Sequence, residues 1–244
     1  MIEIRNLSKV FATQTVLDEI SLKLAAKQTH ILLGASGSGK STLLKIILGT
    51  LKADGGSVEI YDDTDGPNPN RRFSIGYVVQ DGGLFPHLSV AENILLEARC
   101  LGWPAEKMAA RTDELLTAVD LERSVLDQFP HQISGGQKQR VSLMRALFLD
   151  PEILVLDEPL GALDPITRAH LQVGLRTLFQ SLKKLVIIVT HDLAEAAYLG
   201  DTVSVLHNGK LLQHGSFDEL RKRPADDYIR QFIAAQSILS MAET

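Results

Sequence analysis

Apolar runs alternate with helical patterns in the second half of the chain. Residues 153–156 (ILVL), 185–189 (LVIIV) and 202–206 (TVSVL) are short apolar runs, whereas residues 168–182 and 192–200 carry apolar positions at helical spacing. Such runs are typical of parallel strands that are buried on both faces, because helices then cover the sheet on each side. The pattern predicts an α/β fold with a parallel sheet.

The first part of the chain has a different pattern. Alternation in residues 2–7 (IEIRNL) and the β-rich residues 57–63 (SVEIYDD) predict antiparallel strands, interleaved with a buried strand at 30–33 (HILL) and the helix that follows it. Residues 62–72 are rich in Asp, Asn, Pro and Gly, and they predict an exposed loop. Residues 75–80 (IGYVVQ) predict a further strand that ends at Gln80.

Helical periodicity dominates from Val90 to about Asp150, in residues 93–102, 109–119 and 137–148. A chain of this length could form one large domain or two lobes; a helical segment at 89–149 separates residues 1–88 from residues 150–222, and a helical tail follows at 223–244. In the tail one helical stripe is predicted to pack on the body of the chain itself; it contains Tyr228, Ile229, Phe232 and Ile233.

Composition narrows the class of protein. A chain of 244 residues with 45% hydrophobic residues can bury a substantial core, and its net charge of −5 argues against nucleic acid as a partner. Cys100 is the only cysteine, which excludes an internal disulfide; we interpret it as a small hydrophobe, buried or partly buried. We expect no signal peptide at the N-terminus, and no apolar run approaches the roughly 20 residues that span a bilayer. Any membrane role is therefore expected to depend on a partner.

Residues 34–42 (GASGSGKST) have the spacing of a loop that binds phosphate. Three glycines keep side chains away from the backbone, so that successive N–H groups can turn towards an anion. Lys40 would reach the β- and γ-phosphates, Ser41 would offer its hydroxyl to Mg²⁺, and the following helix would direct its positive end at the same charge. The alternative is an ordinary glycine-rich turn. The buried strand before the loop and the helix after it favour the nucleotide interpretation.

Two carboxylates follow the apolar run at 153–156. Asp157 and Glu158 stand where a buried strand ends, and catalytic groups gather at such carboxyl ends of parallel sheets. A polar strand terminus without further function is the alternative. The position after a phosphate loop and before residues 161–164 (GALD) favours the functional interpretation.

Residues 133–137 (ISGGQ) precede an amphipathic segment. Ser134, Gly135 and Gly136 predict the N-terminal cap of a long helix, and the N-terminus of a helix can bind an anion. The capping role and the anion-binding role are compatible, so both interpretations stand at this point.

Together the three segments resemble the ABC-type ATPases, a family in which the smaller motifs follow the same order. The resemblance implies an α/β fold: a phosphate-loop NTPase with a RecA-like core, an antiparallel β subdomain and an inserted helical subdomain. It implies a single domain at 1–244, with the nucleotide-binding core and β subdomain at 1–88 and 150–222, the helical subdomain at 89–149 and a helical tail at 223–244. It implies ATP and Mg²⁺ as ligands, with the metal at Ser41, Gln80 and Asp157. The implied catalytic residues are Glu158, His191, Gln80 and Lys40. The implied nucleotide-binding residues are Phe11, Gly34, Ala35, Ser36, Gly37, Ser38, Gly39, Lys40, Ser41, Thr42, Ser134, Gly135, Gly136, Gln137 and Asp164.

The resemblance also assigns roles to isolated residues. Phe11 would stack on adenine, and Gln80 would couple the site to a membrane partner. Glu158 would accept the proton of the attacking water as general base, and His191 would contact the γ-phosphate and hold Glu158 and water in register. A single Phe is more often a core residue, a single Gln at the end of a strand is more often solvated, and a single His more often has a structural role. Leu160 departs from the usual Phe of the family.

A narrower similarity lies outside the catalytic motifs. Residues 75–90, 161–172 and 224–233 look like the ATPase subunits of bacterial importers for glycine betaine, choline and related osmoprotectants, above all in residues 83–87 (GLFPH) and 164–168 (DPITR). This implies an ATP-binding and ATP-hydrolysing subunit that powers an osmoprotectant importer. An importer for another solute, an exporter and a lipid transport system are the alternatives. A soluble ABC ATPase of translation or DNA repair would carry two cassettes or a long coiled coil, and a kinase would have no use for ISGGQ.

The resemblance implies partners as well. ATP hydrolysis would power transport through transmembrane permease subunits. Two copies of the chain would form a homodimer with ATP between them. A substrate-binding protein would take part indirectly, and no nucleic acid is expected. The implied location is the cytoplasmic face of the inner (cell) membrane, as a peripheral subunit.

Overall fold

The computed structural model describes residues 1–61, 73–80, 82–161 and 163–242, with side chains as far as residue 235. The predicted exposed loop at 62–72 lies outside the described residues. Internal contacts divide the chain into two compact units: Met1–Arg72 with Leu185–Thr244 form unit 1, and Phe73–Lys184 form unit 2. This division groups residues 73–88 and 150–184 with the helical segment, so the subdomain boundaries expected from sequence stay a prediction.

Strands and helices follow one another along the described residues in this order. They are β1 (Ile2–Phe11), β2 (Gln14–Leu24), β3 (Thr29–Leu33), α1 (Lys40–Ile47), β4 (Gly55–Ile60), β5 (Ile75–Val78), α2 (Val90–Cys100), α3 (Ala105–Ala118), α4 (Gly135–Leu147), β6 (Ile153–Asp157), α5 (Pro165–Leu182), β7 (Leu185–Thr190), α6 (Leu193–Leu199), β8 (Thr202–His207), β9 (Lys210–Gly215), α7 (Phe217–Lys222) and α8 (Asp227–Ala242). Two short 3-10 helices, Arg123–Asp127 and Pro130–Gln132, precede α4.

Unit 1 contains the predicted antiparallel sheet, with strand order β2-β1-β4. Ile2 lies opposite Leu24 on one side and Ile60 on the other. The apolar residues Ile2, Ile4, Leu22 and Leu24 are all buried, in agreement with the alternation that predicted a half-buried sheet. The prediction of antiparallel strands in the first part of the chain is confirmed.

A second set of strands in unit 1 has β3 between β7 and β8, all parallel, with β9 antiparallel to β8. Every residue of β3 and β7 is buried, as predicted for strands covered on both faces. In the register, Leu33 lies opposite Thr190 at the carboxyl ends. The segments that follow β3 and β7 therefore begin side by side.

Unit 2 contains the parallel pair β5 and β6 together with helices α2 to α5. Phe148, which is 1% exposed, packs against Trp103 with ring centroids 5.9 Å apart. Arg111 of α3 donates to the carbonyls of Leu147 and Phe148 at 2.8 and 3.2 Å, which satisfies the end of α4. The helices predicted at 93–102, 109–119 and 168–182 are confirmed, with starts that differ by three or four residues.

Three details of the fold concern the expectations for Gln80, for Cys100 and for the C-terminal tail. The strand predicted at 75–80 ends at Val78, so Gln80 lies in a turn two residues later. The interpretation of Cys100 is wrong: its side chain is exposed, because α2 buries the face that carries Val90, Ile94 and Ala98. The tail packs on the chain itself, as predicted, because Ile229 is 1% exposed and Tyr228 stacks on the ring of His207 in β8. No helix in the described part of the chain is long and apolar enough to cross a membrane.

Candidate functional site

The phosphate loop of unit 1 connects the buried strand β3 to helix α1. Gly37 and Gly39 have φ of 79° and 103°, a backbone region that side chains disfavour, so glycine is required for this path of the chain. Gly39 is the N-cap of α1, and no side chain caps that helix. The first N–H groups of an α-helix have no partner within the helix. The loop therefore ends on a helix start suited to an anion.

Two polar side chains of this loop are buried. Lys40 is 5% exposed, and its Nζ donates to the carbonyls of Gly34 and Ala35 at 2.7 and 2.9 Å. Ser38 is 3% exposed, and its Oγ has no hydrogen-bond partner among the described residues. A buried ammonium and a buried hydroxyl inside a glycine-rich loop fit a phosphate group, which would accept hydrogen bonds from both.

The backbone of the loop is closely packed against its surroundings within unit 1. A Cβ at Gly34 would lie 2.2 Å from the carbonyl oxygen of Leu206 and 2.8 Å from Ser38 Oγ. A Cβ at Gly39 would lie 2.8 Å from the carbonyl oxygen of Val16. Glycine is therefore required at position 34 by contact, and at position 39 by both contact and conformation.

His191 and Phe11, predicted from isolated positions, also belong to unit 1. His191 directly follows β7 and is exposed, and because Thr190 pairs with Leu33 it lies at the same sheet edge as the start of the phosphate loop. The next residue, Asp192, caps α6 by accepting from two backbone N–H groups at 2.7 and 3.1 Å. Phe11 ends β1 with its ring 46% exposed and Lys9 Nζ 5.3 Å from the ring centroid.

The two predicted carboxylates lie at the end of β6 in unit 2. Asp157 is the last residue of the strand, and Tyr77 of the neighbouring β5 donates its hydroxyl to Asp157 Oδ2 at 3.4 Å. Burial, together with the Asp157 carboxylate, raises the pKa of Tyr77 to about 12. Tyr77 therefore stays protonated and can donate to the Asp157 side chain.

Glu158 has a left-handed backbone, with φ of 47°. This conformation costs a non-glycine residue about 1–3 kcal/mol and persists where the surroundings enforce it. Its carbonyl accepts from the N–H of Gly161 at 3.3 Å, and a Cβ at Gly161 would lie 3.7 Å from Glu158 Oε2. The tight turn after β6 fixes the direction in which this carboxylate leaves the strand.

The segment at 133–137 is a helix start, as predicted. Ser134 caps α4: its Oγ accepts from the N–H of Gln137 at 3.2 Å, and Gln137 Oε1 accepts from the N–H of Ser134 at 2.9 Å. This reciprocal pair is a capping box. A cavity of about 440 Å³ lies beside it, with Ser134, Gly136, Gln137 and Arg140 among its lining residues.

The start of α4 packs against the start of α5. A Cβ at Gly136 would lie 2.8 Å from Thr167 Cγ2, and a Cβ at Gly135 would lie 3.2 Å from Leu163 Cδ2. Asp164 caps α5 by accepting from the N–H of Thr167 at 3.0 Å, and this backbone hydrogen bond lowers the pKa of the Asp164 carboxyl. The two predicted ligand-binding segments of unit 2 are thus neighbours.

The loop after Gln80 is held by two side chains that the sequence did not single out. Arg145 of α4 donates to the carbonyls of Gly82 and Gly83 at 3.0 and 2.8 Å. Asn93, fully buried, accepts from the N–H of Phe85 at 2.7 Å and donates to carbonyls of the same loop. The loop is therefore tied to the helix that begins at Ser134.

Comparison with known proteins reveals the relatives of this arrangement. Residues 17–161 match the protein family described as ABC transporter, which is more than half of the chain. The chain belongs to the ABC transporter family. It is 38% identical over 98% of its length to the glycine betaine uptake system ATP-binding protein YehX of Escherichia coli, of which it covers 78%. It is also 38% identical to the glycine betaine/carnitine/choline transport ATP-binding protein OpuCA of Bacillus subtilis, again over 98% of its length.

This ABC family member spans 64% of the length of OpuCA, and the same share of the choline transport ATP-binding protein OpuBA of Bacillus subtilis. Among solved structures it is similar to the ATP-binding cassette MJ0796 in a dimeric post-hydrolysis state with ADP and phosphate, with a TM-score of 0.75 and 31% identity over 89% of this chain and 99% of that one. It is likewise similar to cbiO1 of Clostridium perfringens, with a TM-score of 0.80 and 28% identity over 90% and 89%. The predicted ABC-type α/β fold is confirmed.

The close contact between Gly34 and the Leu206 carbonyl of this ABC protein can be tested by substitution. Gly34→Ala places a methyl group against the Leu206 carbonyl, so we expect a loss of about 1–3 kcal/mol in the free energy of unfolding. The matched control is Gly174→Ala in α5, where a Cβ meets no atom within 4 Å. The control should be neutral or slightly stabilising. Urea unfolding of both variants measures this; equal midpoints would contradict the packing of the loop against β8.

Proposed function

We propose that this chain binds and hydrolyses ATP to power a membrane transporter, and that the transporter imports osmoprotectants. The observation that carries the proposal is the phosphate loop, in which Lys40 and Ser38 are buried on a glycine-rich backbone at the start of α1. Its position in the ABC family supports ATP as the ligand.

Phosphate binding would use the loop of unit 1. The ammonium of Lys40, which bonds two loop carbonyls, would exchange part of that bonding for the β- and γ-phosphates. The loop and α1 would supply backbone N–H donors from Ala35, Ser36, Gly37, Ser38 and Gly39 as far as Thr42. The exposed ring of Phe11 would stack on the adenine.

Hydrolysis would use the carboxylates of unit 2. Glu158 would take the proton of a water that attacks the γ-phosphorus, with His191 and Gln80 orienting that water. Ser41, Asp157 and Gln80 would hold Mg²⁺, which neutralises phosphate charge when bound. The hydroxyl of Tyr77 would help to hold the Asp157 side chain in place.

A second copy of the chain would complete each site. The capped start of α4, with Ser134, Gly135, Gly136 and Gln137, would face the γ-phosphate on the other copy, and Asp164 would lie beside it. The dimeric state of the cassette MJ0796 with ADP and phosphate supports this assembly. A chain with one phosphate loop and one such helix start would then form two equivalent sites in a homodimer.

Coupling to a permease would pass through the loop after Gln80. Phe85 is 42% exposed, and Leu84 and Leu88 are half-buried, which leaves apolar surface for a partner. Arg145 connects this loop to α4, so a movement of α4 on ATP binding would reach the loop.

Such a subunit would lie on the cytoplasmic face of the membrane, and a substrate-binding protein would act with the permease. The names of YehX and OpuCA support glycine betaine, choline and carnitine as the class of solute.

The first test separates the chemical step from binding. Glu158→Gln keeps the shape but removes the base, so ATP turnover should fall at least about 10²-fold while ATP still binds. Lys40→Ala should weaken ATP binding itself, because a direct phosphate contact is lost. Phosphate release and equilibrium dialysis measure the two effects. Near wild-type turnover by Glu158→Gln would assign the base to another residue.

The second test concerns the solute. A strain that lacks this chain should take up radiolabelled glycine betaine or choline more slowly at high osmolarity, and the wild-type gene should restore uptake. The matched control is complementation with Glu158→Gln, which should not restore it. Normal uptake together with a defect in export of drugs or lipids would overturn the importer assignment.

A further inference from the structure

The turn between β8 and β9 supports the phosphate loop from behind. The N–H of Gly209 donates to the carbonyl of Ser38 at 3.2 Å, and the carbonyl of Gly209 accepts from the N–H of Asp18 at 2.9 Å. The carbonyl of Leu206, at the end of β8, is the group against which Gly34 packs. The phosphate loop therefore contacts the end of β8 at Gly34 and the β8–β9 turn at Ser38.

The turn has little room to move without moving the loop. Gly209 has φ of 76°, and a Cβ there would lie 2.6 Å from the carbonyl oxygen of Val16. The same carbonyl would lie 2.8 Å from a Cβ at Gly39 of the phosphate loop. Backbone atoms of β2, the turn and the loop are thus in direct contact, and a shift of the turn transmits to the loop.

One aromatic stack fixes the turn to the C-terminal helix. The ring of His207 lies on the ring of Tyr228 in α8, with centroids 3.7 Å apart and an interplanar angle of 26°. Asn208 Nδ2 donates to His207 Nε2 at 3.0 Å, which holds the next residue of the turn to the same ring. Tyr228 also stacks on Phe232, at 5.8 Å, and its neighbour Ile229 is buried.

We propose that Tyr228 is a positioning residue for the phosphate loop: by stacking on His207 it fixes the turn whose Gly209 N–H holds the Ser38 carbonyl. Through this path the C-terminal helix sets the affinity for the nucleotide without contacting it. The inference rests on the proposed binding of nucleotide by the phosphate loop. It assigns to α8 a role that the motifs of the chain do not include.

The expected size of the effect follows from the stack. Aromatic pairs contribute the equivalent of roughly a two- to tenfold change in an equilibrium constant beyond simple burial. Tyr228→Leu keeps an apolar side chain but removes the flat ring, so we expect ADP with Mg²⁺ to bind up to about tenfold more weakly. Tyr228→Phe keeps the ring and should bind as the wild type does.

A double-mutant cycle separates positioning from general destabilisation. If Tyr228 acts through His207, then His207→Ala should weaken ADP binding by a similar factor, and the double variant should be no weaker than either single one. Arg230→Ala, an exposed change in the same helix that removes only a pair with Asp227, is the control and should bind normally. Hydrogen exchange of the Gly209 amide should become faster in Tyr228→Leu.

The experiment is equilibrium dialysis of these full-length variants with ADP and Mg²⁺, combined with hydrogen exchange. Weaker binding and faster exchange in Tyr228→Leu, with recovery in Tyr228→Phe, support the inference. Binding by Tyr228→Leu equal to that of the wild type, or effects of Tyr228→Leu and His207→Ala that simply add, would overturn it. A wild-type chain that binds no nucleotide would instead overturn the proposed function on which it rests.

Discussion

Close contact between backbone segments determines the shape of the phosphate loop. Gly34 lies against the Leu206 carbonyl, and Gly39 and Gly209 lie against the carbonyl of Val16. None of these positions can carry a side chain without displacing a neighbouring strand or turn. Closely packed interiors transmit displacements. The loop therefore keeps its shape only while β2 and the β8–β9 turn keep theirs. The buried Lys40 and Ser38 depend on this frame for their positions.

Each unit of the chain carries one part of the proposed chemistry. Unit 1 holds the groups suited to phosphate, and unit 2 holds the carboxylates at the end of β6 and the capped start of α4. Within unit 2, Arg145 connects the loop after Gln80 to α4, and Gly136 packs α4 on Thr167. A nucleotide that engages the start of α4 would therefore act on the loop after Gln80 and on the start of α5, because α4 contacts both segments.

Local patterns predicted the elements and the caps well, since their causes lie within a few residues. The glycine spacing at 34–39 predicted the loop, and Ser134 with the two glycines after it predicted the capped start of α4. Contacts between distant residues could not be predicted from one sequence. The Tyr77–Asp157 hydrogen bond depends on the register of two strands, and Gly209 meets Ser38 through sheet topology. The interpretation of Cys100 was wrong because composition does not indicate which face of α2 is buried.

Two copies of the chain are proposed to assemble around ATP, and sizing chromatography measures this assembly. In the Glu158→Gln background, ATP with Mg²⁺ should convert the chain to a dimer, and exchange into ADP should return the monomer. Adding Ser134→Arg should abolish the dimer while ATP still binds, because the larger Arg side chain would crowd the γ-phosphate at the start of α4. A chain that binds ATP yet stays monomeric in the Glu158→Gln background would contradict the proposed assembly.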